Sequence, residues 1–257
     1  MFGAVESGPS SYQAENRGPT IIAVIASTTA VAVLFIAARM YSRHLAARRF
    51  WIDDYLIVLS GLLSIAYIAL TAAAVHFGAG RHATTLEPAD RNKSILLINI
   101  AFVPGVLCFV IPKFAVVILL SRILNPGRTH RRIMWVVSVI YGALAVGLLV
   151  VNFTQCSPPA ALWGEAEGKC LDRRVIVNYA LAVGISSAVF DFYLASYPTW
   201  VLSGLMMYWR RKVALSSSLG FGYCAGAITI YKCTWVPTLK HVDDFTYAAD
   251  NVVLWTM

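Results

Sequence analysis

Apolar residues occur in long runs along most of the chain, and short polar segments separate the runs. A helix needs about 20 apolar residues to cross the hydrocarbon core of a bilayer, which is about 30 Å thick. Six runs meet this length and predict six membrane-spanning helices: Thr20–Ala38, Trp51–Val75, Ser94–Leu124, Ile133–Val151, Val175–Met206 and Val213–Val236. The last segment, Asn251–Met257, predicts the beginning of a seventh helix. We therefore expect an all-α, multi-pass transmembrane helix bundle over residues 20–257, after a polar extracellular tail at residues 1–19.

The composition agrees with an integral membrane protein, because 58% of the residues are hydrophobic and only 13% are charged. A soluble domain carries about 25% charged residues. The net charge of +8 comes mainly from short loops at the predicted helix ends. Basic residues in that position orient a membrane protein, so they predict a lipid bilayer as partner and no nucleic acid.

The basic residues also predict the orientation of the chain. The loops after the first, third and fifth predicted helices contain 11 arginine and lysine residues, and the opposite side contains 8. The cytoplasmic loops of membrane proteins carry the excess of basic residues. We therefore expect the N-terminus outside, with the chain in the plasma membrane or an endomembrane.

One predicted outer loop contains sites for covalent modification. Cys156 and Cys170 flank this loop, and an oxidising compartment permits a disulfide between them. Two free thiols are the alternative, because the spacing alone does not decide the pairing. Sequons at Asn92 and Asn152 predict glycosylation on the same side, close to the membrane.

Three ionisable residues fall inside the predicted helices: Lys113, Asp191 and Lys232. A charge in hydrocarbon is expensive, so each of them is a candidate for function. Lys113 and Asp191 lie at similar depth in the third and fifth helices, and an ion pair forms if these helices are neighbours. The pair either fixes the packing of the bundle or belongs to a ligand-binding or catalytic pocket.

The surroundings of these charges suggest two further features. Gly184, Ser187 and Asp191 recur at spacings of three and four, so they share one face of the fifth helix. A small, polar face of this kind suits a helix contact or a cavity. Lys232 lies near the outer end of the sixth helix, where it either extends to the interface or contacts a ligand at the mouth of an outward-facing pocket.

Asp53 and Asp54 open the second predicted helix, just after Trp51. Acidic residues at a helix N-terminus accept hydrogen bonds from free N–H groups and interact favourably with the helix dipole. The alternative is a cytosolic switch in which the two carboxylates pair with nearby arginines.

Several catalytic motifs are absent from the sequence. It contains no H-E-x-x-H, no G-x-S-x-G and no Walker lysine, and it has no carboxylate-rich metal motif. The final segment also has no lysine that could hold retinal. The sequence therefore predicts neither a metal nor a cofactor.

Together, these segments resemble the fungal rhodopsin-domain family of integral membrane proteins. The resemblance begins near Ala38, and it is carried by ARMYSRH, WIDDYL, FGAGRH, PKFAVVILLSRI, CSPPAALWGEAEGKC, DFYLASYPTW and RRKVALSSSLGFGYCAGAITIYK. It implies a seven-helix, receptor-like protein of the kind encoded in secondary-metabolite gene clusters such as that for satratoxin. It also implies that a full seventh helix belongs where Asn251–Met257 stands.

The sequence is compatible with three functions. The first is a receptor-like protein with a pocket near Lys113, Asp191 and Lys232, which would bind a small apolar metabolite. The second is a membrane-embedded cyclase or isomerase that acts on an apolar metabolite, with Asp191 or Lys113 as the catalytic candidate. The third is a transporter or accessory protein, although no inverted repeat is visible. The oligomeric state is not predicted.

Overall fold

A computed structural model describes residues 18–47, 51–80, 87–123, 127–158, 161–162, 168–203, 222–224 and 226–231. The described residues form five long helices: α1 (Gly18–Ala47), α2 (Ile52–His76), α3 (Pro88–Ile123), α4 (Arg128–Thr154) and α5 (Arg173–Ser203). A short antiparallel hairpin, β1 (Cys156–Ser157) and β2 (Lys169–Cys170), stands between α4 and α5.

Each long helix is sufficiently long and apolar to cross a membrane. The qualifying segments are Gly18–Leu45, Ile52–His76, Pro88–Arg122, Arg128–Thr154 and Arg174–Tyr197. The predicted all-α, multi-pass architecture is therefore confirmed for these five spans. Residues 222–224 and 226–231 are helical within the predicted sixth span. Lys232, the remainder of that span and the predicted start of a seventh helix lie outside the described residues.

The helices extend beyond the apolar runs that predicted them. The first run ends at Ala38, but α1 continues to Ala47; the third begins at Ser94, but α3 already starts at Pro88. Proline suits the first position of a helix, and Asp90 in the first turn interacts favourably with the dipole. The apolar runs therefore mark the part of each helix that fits lipid, and the polar ends continue as helix beyond it.

Large side chains from three helices form the main core of the bundle. It is built from Val110, Val117 and Leu120 of α3, Met134, Tyr141, Ala145 and Leu148 of α4, and Val183, Phe190 and Leu194 of α5. A smaller cluster joins Ile25 of α1, Tyr67 of α2 and Ala101 of α3. Helix α3 therefore contacts both clusters, and it contains Pro104 and Pro112 without interruption.

A close approach of α2 and α3 depends on Gly105. A β-carbon at this position would lie 3.1 Å from the ring of Tyr67 in α2. The missing side chain therefore leaves the space that the Tyr67 ring fills, and an alanine there would require the ring to shift by a few tenths of an ångström.

The hairpin after α4 contains the predicted disulfide. Cys156 and Cys170 are directly paired across β1 and β2, with 4.0 Å between their Cα atoms, and a disulfide joins them. The backbone N–H of Leu171 also donates to the carbonyl oxygen of Gln155 at 2.7 Å. The bond therefore closes the loop at the point where α4 ends and α5 is about to begin.

Candidate functional site

The predicted ion pair between α3 and α5 is confirmed. Lys113 Nζ lies 2.8 Å from Asp191 Oδ1, and the two side chains are only 12% and 15% exposed. Both residues lie within membrane-spanning segments. A lysine or an aspartate without a partner there would cost about 3 kcal/mol, so each charge stabilises the other.

Ser187 completes the polar surroundings of the lysine. Lys113 Nζ donates to Ser187 Oγ at 2.6 Å and to the Ser187 carbonyl oxygen at 3.1 Å. An ammonium group has three donors. Asp191 and the two Ser187 oxygens therefore satisfy all three, and the shared face of α5 that the spacing predicted supplies every acceptor.

Aromatic rings cover the remaining side of the ammonium group. Lys113 Nζ lies 4.6 Å from the ring centroid of Tyr141 and 5.9 Å from that of Phe190. A desolvated cation over an aromatic face gains about 2 kcal/mol. Neither ring was predicted as part of the site, because an aromatic residue inside an apolar run has the same pattern as a core residue. We call Lys113, Ser187, Asp191, Tyr141 and Phe190 together the Lys113 site.

An apolar cleft between α4 and α5 adjoins the Lys113 site. Its volume is about 560 Å³, and its walls include Leu144, Val189, Tyr193 and the two rings that contact Lys113. The hydroxyl oxygen of Tyr193 is buried and has no hydrogen-bond partner among the described residues. The cleft therefore combines a hydrocarbon-lined space with one unsatisfied hydroxyl, next to a buried cation.

A second group of charges lies where α1 ends and α2 begins. Asp53 and Asp54 are completely buried, and Arg39 donates to both of them, to Asp53 Oδ2 at 3.0 Å and to Asp54 Oδ1 at 3.4 Å. Arg43 lies 3.6 Å and 3.7 Å from the same two oxygens. Arg122, at the end of α3, lies 3.6 Å from Asp53 Oδ1. We call these five residues the arginine–aspartate cluster.

Asp54 also caps α2, as the sequence predicted. Its Oδ2 atom accepts a hydrogen bond from the backbone N–H of Trp51 at 3.2 Å. The structure also contains the pairing with nearby arginines that the alternative interpretation predicted, because Arg39 and Arg43 lie close to both carboxylates. What the sequence did not reveal is the third arginine, Arg122, because it comes from a distant helix.

The remaining predicted residues are not brought to either site. Asn152 lies in the last turn of α4, where its Nδ2 atom donates to Asn99 Oδ1 at 3.1 Å, and Asn92 lies near the start of α3. Glycosylation of both stays a prediction. Across the described ranges, no group of three His, Cys, Asp or Glu residues could hold a metal ion.

Comparison with known proteins identifies the family. A family model described as the fungal rhodopsin domain matches residues 38–257. The chain belongs to the fungal rhodopsin-domain family. The matched region begins just before Arg39, so both the Lys113 site and the arginine–aspartate cluster belong to the rhodopsin domain.

One relative of this rhodopsin-domain protein comes from Metarhizium anisopliae. It is described as "Polyenoic acids biosynthesis gene cluster protein Ba17b", and it is 26% identical over 262 residues, which cover 95% of this chain and 70% of the relative. No solved structure matches this rhodopsin-domain protein.

Proposed function

We propose that this protein is a receptor-like membrane protein, associated with a fungal secondary-metabolite gene cluster, that binds a small apolar carboxylic acid between its helices. One observation carries the proposal: the rings of Tyr141 and Phe190, which contact the Lys113 cation, also line the open apolar cleft. A cation next to hydrocarbon-lined space is complementary to an acid with an apolar chain.

The charge at the Lys113 site permits such a ligand to bind. In the bilayer, a carboxylic acid is favoured in its neutral, protonated form, because an isolated carboxylate is expensive in hydrocarbon. The acid brings its own proton to Lys113, and this proton is then shared between the ligand carboxyl and Asp191. The total charge of the site therefore does not change when the ligand binds. The ligand can then compete with Asp191 for the lysine 2.8 Å away.

The relative supports the chemical class of this ligand. Its printed description places it in a gene cluster for polyenoic acids. A polyenoic acid has a carboxyl group and an unsaturated hydrocarbon chain, so the carboxyl matches Lys113 and the chain matches the aromatic cleft.

Competition at Lys113 would also supply the conformational response of a receptor. The ion pair connects α3 to α5. A ligand that binds more tightly when Lys113 and Asp191 are separated shifts the bundle toward the arrangement in which they are apart.

The proposal includes an orientation of the chain in the membrane. Six spans precede a seventh, the N-terminus is outside, and Asn92 is glycosylated on that outer side. The distribution of basic residues supports this orientation.

An enzyme is the weaker alternative. Neither the family nor the description of the relative supports a catalytic activity. Asp191 is also engaged with Lys113 at 2.8 Å, in the ion pair that connects α3 to α5.

The binding of parinaric acid tests the proposal, because this conjugated polyenoic acid becomes fluorescent in an apolar site. We expect the full chain in nanodiscs to bind it, and we expect Lys113→Met to weaken binding at least tenfold, since a charge-assisted hydrogen bond contributes about 1.5–3 kcal/mol. Lys93→Met is the matched control: it makes the same change on the same helix, at a lysine that lies over Phe77.

Two results would contradict the proposal. Equal affinity of the wild-type protein and Lys113→Met for parinaric acid would show that the cation does not recognise the ligand. Equal binding of the methyl ester, which lacks the acidic group, would show that the cleft takes up any apolar chain.

A further inference from the structure

Two arginines of the arginine–aspartate cluster have unused hydrogen-bonding capacity. Arg39 donates hydrogen bonds to both carboxylates, but the nearest contacts of Arg43 and Arg122 are 3.6 Å or longer. These distances exceed those of a hydrogen bond. Within the described part of the chain, neither guanidinium group donates a hydrogen bond to any residue. Nε and Nη2 of Arg43 and Nη1 of Arg122 face the carboxylates. The remaining donors, Nη1 of Arg43 and Nε and Nη2 of Arg122, are therefore available to an acceptor from outside the protein.

The charges of the cluster favour an anion as that acceptor. Three arginines surround two carboxylates, and the carboxylates are completely buried, whereas Arg43 and Arg122 are 21% and 35% exposed. The group that faces outward is therefore cationic. The neighbouring start of α4 adds three exposed arginines, Arg128, Arg131 and Arg132, and contains no acidic residue in its first turn.

The position of the cluster indicates where the anion comes from. Trp51 is exposed, and its ring centroid lies 4.0 Å from the guanidinium carbon of Arg122. Tryptophan is enriched at the level of the lipid headgroups, and α2, which is long and apolar enough to cross a membrane, begins immediately after Trp51. The position of Trp51 predicts that the free donors lie at the depth of the headgroup phosphates.

We propose that Arg43 and Arg122 form a binding site for the phosphate of an anionic phospholipid, with phosphoinositides as the preferred class. A guanidinium group matches two phosphate oxygens at once, and stacking on Trp51 holds the Arg122 group in one orientation. The monoester phosphate of a phosphorylated phosphoinositide carries more charge than the diester of phosphatidylserine or phosphatidylglycerol, so the net positive cluster favours it. This site is separate from the Lys113 site and does not depend on the function proposed above.

Lipid retention in nanodiscs tests the site. The full chain is placed in phosphatidylcholine nanodiscs that contain a minor fraction of phosphatidylinositol 4-phosphate, and the lipids that remain bound are counted by native mass spectrometry. We expect selective retention of the phosphoinositide by the wild-type protein. Arg43→Gln with Arg122→Gln should lower that retention at least tenfold, because two charge-assisted contacts are lost. The matched control is Arg91→Gln with Arg174→Gln, which removes two arginines from the opposite helix ends.

A lysine variant keeps the test decisive if the glutamine variant does not insert. Arg43→Lys with Arg122→Lys preserves both charges but not the planar donor edges, so we expect about threefold weaker retention. The proposal is overturned if the wild-type protein shows no preference over phosphatidylcholine, or if these variants retain the lipid fully. It is also overturned if the control variant loses retention equally, or if inorganic phosphate displaces the lipid as efficiently as the soluble phosphoinositide headgroup.

Discussion

The Lys113 site and the arginine–aspartate cluster both place charges between packed helices, but they satisfy those charges differently. At the Lys113 site one cation meets one anion, and Ser187 fills the remaining donors. In the cluster three cations surround two anions, and two of the cations make no hydrogen bond among the described residues. The first site is electrically balanced and enclosed, whereas the second has excess positive charge at a partly exposed edge.

This difference suggests different roles. A balanced pair in a low-dielectric environment responds to a ligand that replaces one of its partners, because a charge left without a partner there is costly. An unbalanced cluster at the interface attracts an additional anion and keeps its internal contacts. The bundle therefore contains one site suited to ligand exchange and another suited to attachment to lipid. Helix α3 contributes Lys113 to the first and Arg122 to the second.

The largest loss of stability should follow removal of the buried carboxylates of the cluster. Asp53→Asn with Asp54→Asn leaves three arginines without a counter-charge, and we expect the free energy of unfolding to fall by about 4 kcal/mol. Unfolding in detergent measures this change. Asp90→Asn in the first turn of α3 is the control, with an expected loss of about 0.5 kcal/mol from the helix dipole. Similar losses in the two variants would show that the cluster is only a set of surface contacts.

A double-mutant cycle at the Lys113 site should give the next largest effect. Lys113→Met or Asp191→Asn leaves one charge in the membrane without its partner, so we expect each single variant to lose about 3 kcal/mol of stability. The double variant should lose clearly less than the sum of the two, because it contains neither charge. Strictly additive losses would mean that Lys113 and Asp191 are not coupled across their 2.8 Å contact. The Lys113 site would then not be a balanced ion pair, and it would no longer differ from the arginine–aspartate cluster in this respect.

Depth along the helices was enough to predict the Lys113–Asp191 pair from the sequence. A charge inside an apolar run needs a partner, and two such charges at similar depth have few alternatives. The rings of Tyr141 and Phe190 could not be predicted, because no local pattern distinguishes them from the core around them. Arg122 was missed for a related reason: its role depends on how α3 packs against the start of α2.

The helix ends show the same contrast between features that a local sequence pattern predicts and features that depend on packing. The first five apolar runs each located a span correctly, because bilayer thickness sets its length. The continuation of α1 to Ala47 carries Arg39 and Arg43 to the cluster, where they contact the buried carboxylates of α2. These long-range contacts leave no periodic signal in α1 itself.

Adjacent serines on α5 allow the smallest of these effects to be measured. Ser187 Oγ accepts a hydrogen bond from Lys113 at 2.6 Å, whereas Ser186 Oγ donates to the Val183 carbonyl oxygen of its own helix at 2.8 Å. We expect Ser187→Ala to lower the free energy of unfolding by about 1.5 kcal/mol, because a hydrogen bond to a charged group is lost. Ser186→Ala removes a hydroxyl of the same size and should change stability by less than about 0.5 kcal/mol.

The two serine variants also separate packing from ligand recognition. The carbonyl oxygen of Ser187 and the carboxylate of Asp191 still hold Lys113 in Ser187→Ala, but one of its three donors becomes available. An acidic ligand that binds this lysine should therefore bind Ser187→Ala at least as tightly as it binds the wild-type protein, although the variant is less stable. Parinaric acid titrations of both variants check this expectation. Loss of affinity in parallel with loss of stability would instead assign Ser187 to the ligand contact, and it would make the Lys113 site a preorganised pocket in which the serine remains bound to the lysine.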